Sequence, residues 1–108
     1  MIYELRVYQP VPGKLPRLLA RFGEHVLPIW EKHGIHPIGF WTTVVGESSS
    51  ELTYILAWES LADRERRWSA FQNDPAWQKA REDSERDGPI VANVRNQILA
   101  PTAFSALK

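Results

Sequence analysis

Few side chains in this sequence are equipped for chemistry. Arg6 shares an alternating segment with Glu4 and Tyr8, and Asn93, Arg95 and Gln97 share another near the far end. An arginine fork can grip a carboxylate or steady a developing enolate, and an amide can complete such a site; the same groups could equally form a structural network between neighbouring strands. The histidines are His25, His33 and His36. A general base would need one beside a transferable proton, and a haem ligand would need one aimed into an apolar pocket. Arg6, His33 and Asn93 are the candidate catalytic residues. Neither Glu24-His25 nor Glu31-x-His33 puts two ligands on one helix face, so no metal site is expected, and no pattern requires a cofactor.

Five tryptophans (Trp30, Trp41, Trp58, Trp68 and Trp77) stand out in a short chain. They can pack a core and an interface, or wall a pocket for a flat apolar ligand. If a pocket exists, Trp41 is the first lining residue to expect, with Tyr8, Tyr54, Trp58 and Arg95.

The chain has 108 residues, room for a single domain spanning 1–108. Thirteen basic residues offset thirteen acidic ones. That balance gives no electrostatic footprint for nucleic acid or an anionic membrane. There is no cysteine, which removes disulfides, thiolate catalysis and Cys-ligated metals. The longest uncharged run, His33 to Gly46, is too short to span a membrane and is broken by Pro37 and two glycines. With no targeting pattern at Met1–Arg6, a cytoplasmic location is expected.

The elements that must position these residues follow from periodicity. Ile2–Gln9 alternates as a half-buried strand, ended by Pro10-Val11-Pro12-Gly13. Leu15, Leu18, Leu19, Phe22, Val26, Ile29, Trp30 and His33 recur at helical spacing, with Arg17, Arg21, Glu24, Glu31 and Lys32 on the other face. Pro28 should kink or break that helix before it ends at Gly34. Ile35–Val45 and Leu52–Glu59 read as two strands, apolar on both sides, joined in a hairpin. Ser60 should cap a helix carrying Leu61, Trp68 and Phe71, whose run Arg64–Arg67 reads as a solvated face. Asp74-Pro75 starts a further short helix, and Ile90–Leu99 is the last strand. The tail, with Phe104, is apolar enough to dock.

The order strand–helix–strand–strand–helix–strand is the split βαβ, an α+β ferredoxin-like unit: four antiparallel strands with the helices on one face. The bare face carries too much apolar bulk to meet water, so a homodimer packed sheet against sheet is expected. The polar centre of the edge pair, Glu4, Arg6 and Tyr8 with Asn93, Arg95 and Gln97, would then have to pair internally or line a wet cavity.

Six segments in order resemble the NIPSNAP family: Ile2-Tyr3-Glu4-Leu5-Arg6, Pro12-Gly13-Lys14-Leu15-Pro16, Pro28-Ile29-Trp30, Gly39-Phe40-Trp41-Thr42, Trp58 to Arg64, and Asp74-Pro75-Ala76-Trp77. The resemblance implies a dimeric α+β barrel and no defined activity or catalytic residue set. Three functions remain open. One is a protein that binds a small apolar or aromatic ligand between sheet and helices; another is a cofactor-independent monooxygenase or related barrel enzyme. The third is a structural or partner-binding module.

Overall fold

A computed structural model describes residues 1–108. The elements are β1 (Ile2–Pro10), α1 (Leu15–Arg21), a π-helical turn (Phe22–Val26), α2 (Leu27–His33), β2 (His36–Thr42), β3 (Leu52–Trp58), α3 (Leu61–Gln72), α4 (Pro75–Ser84) and β4 (Val91–Leu99). The strands form one antiparallel sheet in the order β2-β3-β1-β4. This is the expected ferredoxin-like α+β arrangement. The core fills the space between one face of the sheet and the helices, with Leu18, Phe22, Val26, Trp30, Leu52, Tyr54, Leu56, Trp58, Phe71 and Trp77 at its centre.

Pro28 acts one turn earlier than expected. The helix runs through the proline, but the preceding turn widens, and the Leu27 N–H donates to the Phe22 carbonyl five residues back. A proline has no N–H for the carbonyl four back, and its ring needs room there. A π turn supplies that room without ending the helix. The turn sits directly after Arg21 and begins at Phe22, so it sets how both face the sheet.

The second strand is shorter than its sequence suggests. Pairing stops at Thr42, opposite Leu52, because β3 offers no earlier residue to bond. Val44 and Val45 therefore lie in a loop, 93% and 94% exposed. β2 is an edge strand, and a bulge between Pro37 and Gly39 offsets its register. The tail does not dock as expected: Phe104 is 90% exposed.

Cross-strand partners share a face. Glu4 pairs with Leu56 and Ile98, Arg6 with Tyr54 and Asn96, and Tyr8 with Leu52 and Val94, all on the helix side. Leu5 and Val7 pair with Ile55 and Thr53, and with Gln97 and Arg95, on the bare side. Asn93 pairs with Gln9, in phase with Arg95. The polar centre expected from the two edge segments is therefore split between opposite faces.

Helix α3 starts in a reciprocal cap. The Asp63 N–H donates to Ser60 Oγ at 3.0 Å, and the Glu59 N–H donates to Asp63 Oδ2 at 3.3 Å. Helix α2 ends at Gly34, in the left-handed region at φ 69°. Gly34 is also the seat of the Arg67 guanidinium, whose Nη1 donates to the His33 carbonyl at 2.9 Å; a Cβ at Gly34 would collide with that Nη1. Gly34→Ala should cost about 1–2 kcal/mol from backbone conformation, plus the displacement of Arg67. In urea denaturation the penalty should shrink towards the backbone share in an Arg67→Ala background. Equal penalties in the two backgrounds would show that the guanidinium seat contributes nothing.

Candidate functional site

The helix-side centre of the sheet holds a buried polar network around Glu4, which is 0% exposed. Its carboxylate accepts from Arg64 Nε at 2.8 Å and Nη2 at 3.0 Å, and from Arg6 Nη1 at 2.9 Å. Trp58 Nε1 at 3.0 Å and Asn96 Nδ2 at 2.9 Å complete the set. Burial alone would push the Glu4 carboxyl up. The Arg64 and Asn96 hydrogen bonds and the charge of Arg6 overcome that and hold it down at about 2, against an ordinary 4.5.

Arg6 is fixed on every side. Its Nε donates to the Tyr54 hydroxyl at 2.9 Å and its Nη2 to the Tyr8 hydroxyl at 3.3 Å. Its guanidinium lies 4.6 Å from the Trp68 ring centroid. Burial opposes the charge on Arg6, but the oxygens of Tyr54 and Tyr8 and the Glu4 carboxylate reverse that and keep it protonated. Burial also drives the Tyr54 hydroxyl well above its ordinary value, so it stays a neutral donor. Tyr54 passes its proton to the Tyr8 oxygen at 2.9 Å. Tyr8 thus accepts from both Arg6 and Tyr54, and its own O–H remains to donate outward.

Tyr8 opens onto a cleft. A cavity of about 390 Å³ lies between α4 and the start of β4, lined by Tyr8, Arg21, Gln72, Trp77, Arg81, Glu85 and the segment Val91–Val94. A smaller cavity of about 40 Å³ lies against the same Tyr8, Arg21, Gln72 and Trp77, and is closed by Phe22, Val26, Trp30, Trp68 and Phe71. Their rings pack on one another at centroid separations of 5.0 to 6.1 Å, with Trp77 stacked on Phe71 and Phe22 edge-on to Trp30. Two buried donors have no partner, Arg21 Nε and Trp30 Nε1, and both belong to residues that line this inner cavity. Buried polar groups are nearly always satisfied, so an orphan pair on the lining residues of one cavity is informative.

Arg21 is itself 6% exposed. Its Nη1 donates to Ser84 Oγ at 3.3 Å and lies 3.7 Å from Glu85, and its guanidinium lies 5.4 Å from the Trp77 ring centroid. Burial lowers its pKa, with Glu85 acting the other way.

The residues singled out from sequence separate into three places. Arg6, Tyr8, Tyr54 and Trp58 come together; Asn93 lies on the strand segment that edges the cleft, but in phase with Arg95 on the other face of the sheet. Trp41 and Arg95 lie across the sheet on the bare face. Trp41 is 50% exposed with its ring folded over Gly39, where a Cβ would sit 2.9 Å from the indole; Arg95 pairs with Glu51 at 3.0 Å. His33 does not line the cleft. Its Nε2 lies 2.7 Å from Asp74 Oδ2, and Lys32 reaches the same oxygen. Asp74 meanwhile caps α4 through the Ala76 N–H at 2.8 Å. The hydrogen bonds from Lys32 and His33 hold the Asp74 carboxyl well below its usual range.

Three important residues escaped the sequence reading. Arg64 and Arg21 fell on faces taken as solvated, and Asn96 fell in a mostly apolar row. Arg64, Trp68 and Phe71 are spaced four and three apart, which puts them on one helix face; that spacing was the available signal. The run Arg64–Arg67 is therefore not one solvated face: Arg66 is exposed, while Arg67 donates to Asp63 Oδ1 at 2.7 Å. No group of three or more His, Asp or Glu is placed to hold a metal. No helix is long and apolar enough to cross a membrane.

A ferredoxin-like sheet, one face under helices with a cleft between, defines the class. Within that class the chain belongs to the NIPSNAP family, whose model matches residues 3–106. It is similar to protein Atu4242 from Agrobacterium tumefaciens, at 29% identity and TM-score 0.87 over 100% of both chains. It is similar also to the NIPSNAP family protein ATU5224 of the same organism, at 28% identity and TM-score 0.88, covering 99% of this chain and 98% of that one. A putative antibiotic biosynthesis monooxygenase from Nitrosomonas europaea shares the fold alone: 8% identity, TM-score 0.63, 94% of this chain and 98% of that one. No curated protein sequence matches the chain.

Glu4→Gln should cost about 3–5 kcal/mol, because it strips the counter-charge from buried Arg6 while Arg64 turns to solvent. The acid limb provides a second reading. A carboxyl whose folded pKa is depressed stabilises the fold above its unfolded pKa and loses that contribution as pH falls through the folded one. Wild-type stability should therefore fall between about pH 4.5 and pH 2. Urea midpoints measured across that range should fall less steeply in Glu4→Gln; parallel slopes would remove Glu4 as the main acid-sensitive group.

Proposed function

We propose that this NIPSNAP chain works as a homodimer that holds a small aromatic or apolar molecule in the cleft between sheet and helices. One observation carries the ligand reading: the unpartnered N–H groups of Arg21 and Trp30, two residues that line an aromatic-walled cavity sharing part of its lining with a cleft of about 390 Å³. Binding pockets combine apolar walls with a few convergent polar groups in this way. A filled, satisfied core would have favoured a purely structural module instead.

The dimer reading rests on the bare face. Leu5, Val7 and Ile55 are only half-buried there, beside Trp41. The chain exposes 6759 Å², against about 6,100 Å² for a compact monomer of this mass. Its extents of 46 × 36 × 19 Å describe a slab. A second copy laid sheet to sheet would cover the apolar side of that slab and leave the cleft, on the opposite side, accessible.

Catalysis in the same cleft is a second reading, favoured by the outward Tyr8 O–H backed by Arg6 and Tyr54. It would be of the cofactor-independent oxygenase type, with Tyr8 rather than His33 at the reacting group.

Native mass spectrometry of protein purified from its own host should show a mass near twice 12.4 kDa and a retained small molecule. Ala92→Trp, at the cleft mouth, should lose the retained mass while keeping the dimer. Ile55→Lys should do the reverse, giving a monomer whose unfolding midpoint no longer rises with concentration. A wild-type protein that is monomeric at micromolar concentration would overturn the dimer. Equal retained mass in Ala92→Trp would overturn the cleft.

A further inference from the structure

The two buried side-chain polar atoms left without a partner are both donors, on residues that line the inner end of the cleft. Arg21 Nε and Trp30 Nε1 have no acceptor within the protein. Tyr8 contributes a third donor. Arg6 Nε donates to the Tyr54 oxygen, so the Tyr54 proton goes to Tyr8. If the Tyr8 proton turned inward instead, it would leave the fully buried Tyr54 O–H with nothing to donate to. Tyr8 therefore presents its O–H to the cleft it lines. No carboxylate answers these three. Glu85 stands at the rim in ion-pair contact with Arg21 at 3.7 Å and Arg81 at 3.5 Å, which leaves Arg21 Nε without a partner. Two arginines against one glutamate leave the cleft with a positive excess. The other polar side chain of the lining on this side of the sheet, the amide of Gln72, can turn either way.

From this we propose that the cleft is a receptor for small aromatic or apolar carboxylic acids, with Arg21, Tyr8 and Trp30 as the donors that meet the carboxylate. The proposal rests on the ligand reading above and sharpens it to a chemical class. A carboxylate brings acceptors only, which matches a set of donors only. A buried arginine in low dielectric gains most from such a partner. The surrounding rings of Phe22, Trp68, Phe71 and Trp77 suit a flat apolar body. Phosphate esters fit less well: they carry more charge and more oxygens than one arginine fork satisfies, and neither a glycine-rich loop nor a free helix N-terminus lines this cavity. The inner cavity takes little more than one ligand edge, so the bulk of the molecule would lie in the outer cleft.

Isothermal titration of the full chain at pH 7 with benzoate, phenylacetate and 2-naphthoate, each against its primary amide, tests the assignment. At least one acid should bind saturably and at least tenfold tighter than its amide. The Arg21 Nε–H and Trp30 indole N–H resonances should shift in nitrogen-edited spectra as it binds. Arg21→Met should abolish the preference for acid over amide, and Arg21→Lys should retain part of it; if Arg21→Met does not fold, the acid–amide comparison in wild type decides alone. Amides that bind as tightly as the acids, and move the same resonances, would overturn the carboxylate assignment and leave the cleft a neutral-ligand site. Displacement of the acid by inorganic phosphate at equal concentration would overturn it too. If neither acids nor amides bind and the resonances stay fixed, the cleft reading falls with it.

Discussion

One carboxylate organises this fold. Glu4 lies in the middle of the central strand pair, fully buried, and such a charge is tolerated only when the protein replaces its lost hydration. Here that replacement draws on four other residues in four places: Arg6 on its own strand, Trp58 on β3, Arg64 on α3 and Asn96 on β4. The bonds therefore do more than neutralise a charge. They pin α3 to the sheet and fix the register of β4 against β1. A one-residue slip of either would leave a buried anion unmatched, which is a far larger penalty than a mispaired apolar side chain.

The same constraint reaches the cleft. With Nη1 held by Glu4, the Arg6 guanidinium has one orientation, and its remaining edge falls on Tyr54 and Tyr8. Tyr54 is then committed to Tyr8, and Tyr8 is left with its proton facing the cavity. Glu4 touches nothing in the cleft, yet it sets the polarity of the group that does. This is the logic by which supporting residues orient a site rather than form it. The π turn plays the matching part on the other wall, where it is Pro28, by refusing a hydrogen bond, that sets the turn beginning at Phe22, directly after Arg21.

Much of the fold was legible because strands and helices have different periods. Element order, the antiparallel sheet, the Ser60 and Asp74 caps and the Gly34 stop follow from spacing and from a few residues with strong conformational preferences. The site was legible only in part, for a specific reason. Alternation reveals that a strand has two faces but not which face of one strand meets which face of the next; that phase depends on register, a long-range property. So alternation groups Glu4, Arg6 and Tyr8 with Asn93, Arg95 and Gln97, whereas the register brings Asn96 to them and turns the other three to the bare side. Arg21 and Arg64 were hidden for another reason. A charged residue beside an apolar stripe reads as solvent-facing unless its buried partner is known, and both partners lie more than 50 residues away in sequence. Trp41 failed as a cleft residue for the reason of phase again: Phe40, one position earlier, took the helix side beside Trp30 and Tyr54.

The two faces of the sheet now have separate physical problems. The helix side holds two buried donors without a partner, Arg21 Nε and Trp30 Nε1. The bare side sets the half-buried Leu5, Val7 and Ile55 beside the polar Thr53, Asn93, Arg95 and Gln97, with Arg95 paired to Glu51 and Trp41 folded onto Gly39. A period of two assigns alternate residues of one strand to the two problems. Arg6 and Tyr8 fall to the helix side while Leu5 and Val7 fall to the bare side. Because neighbours in sequence point away from each other, a change at one face need not disturb the other except through the backbone they share. Cleft chemistry can therefore vary while the means of covering the bare face stays constant, and such variation would fall on Arg21, Trp30 and the β4 lip before it reached Glu4, on which both faces depend.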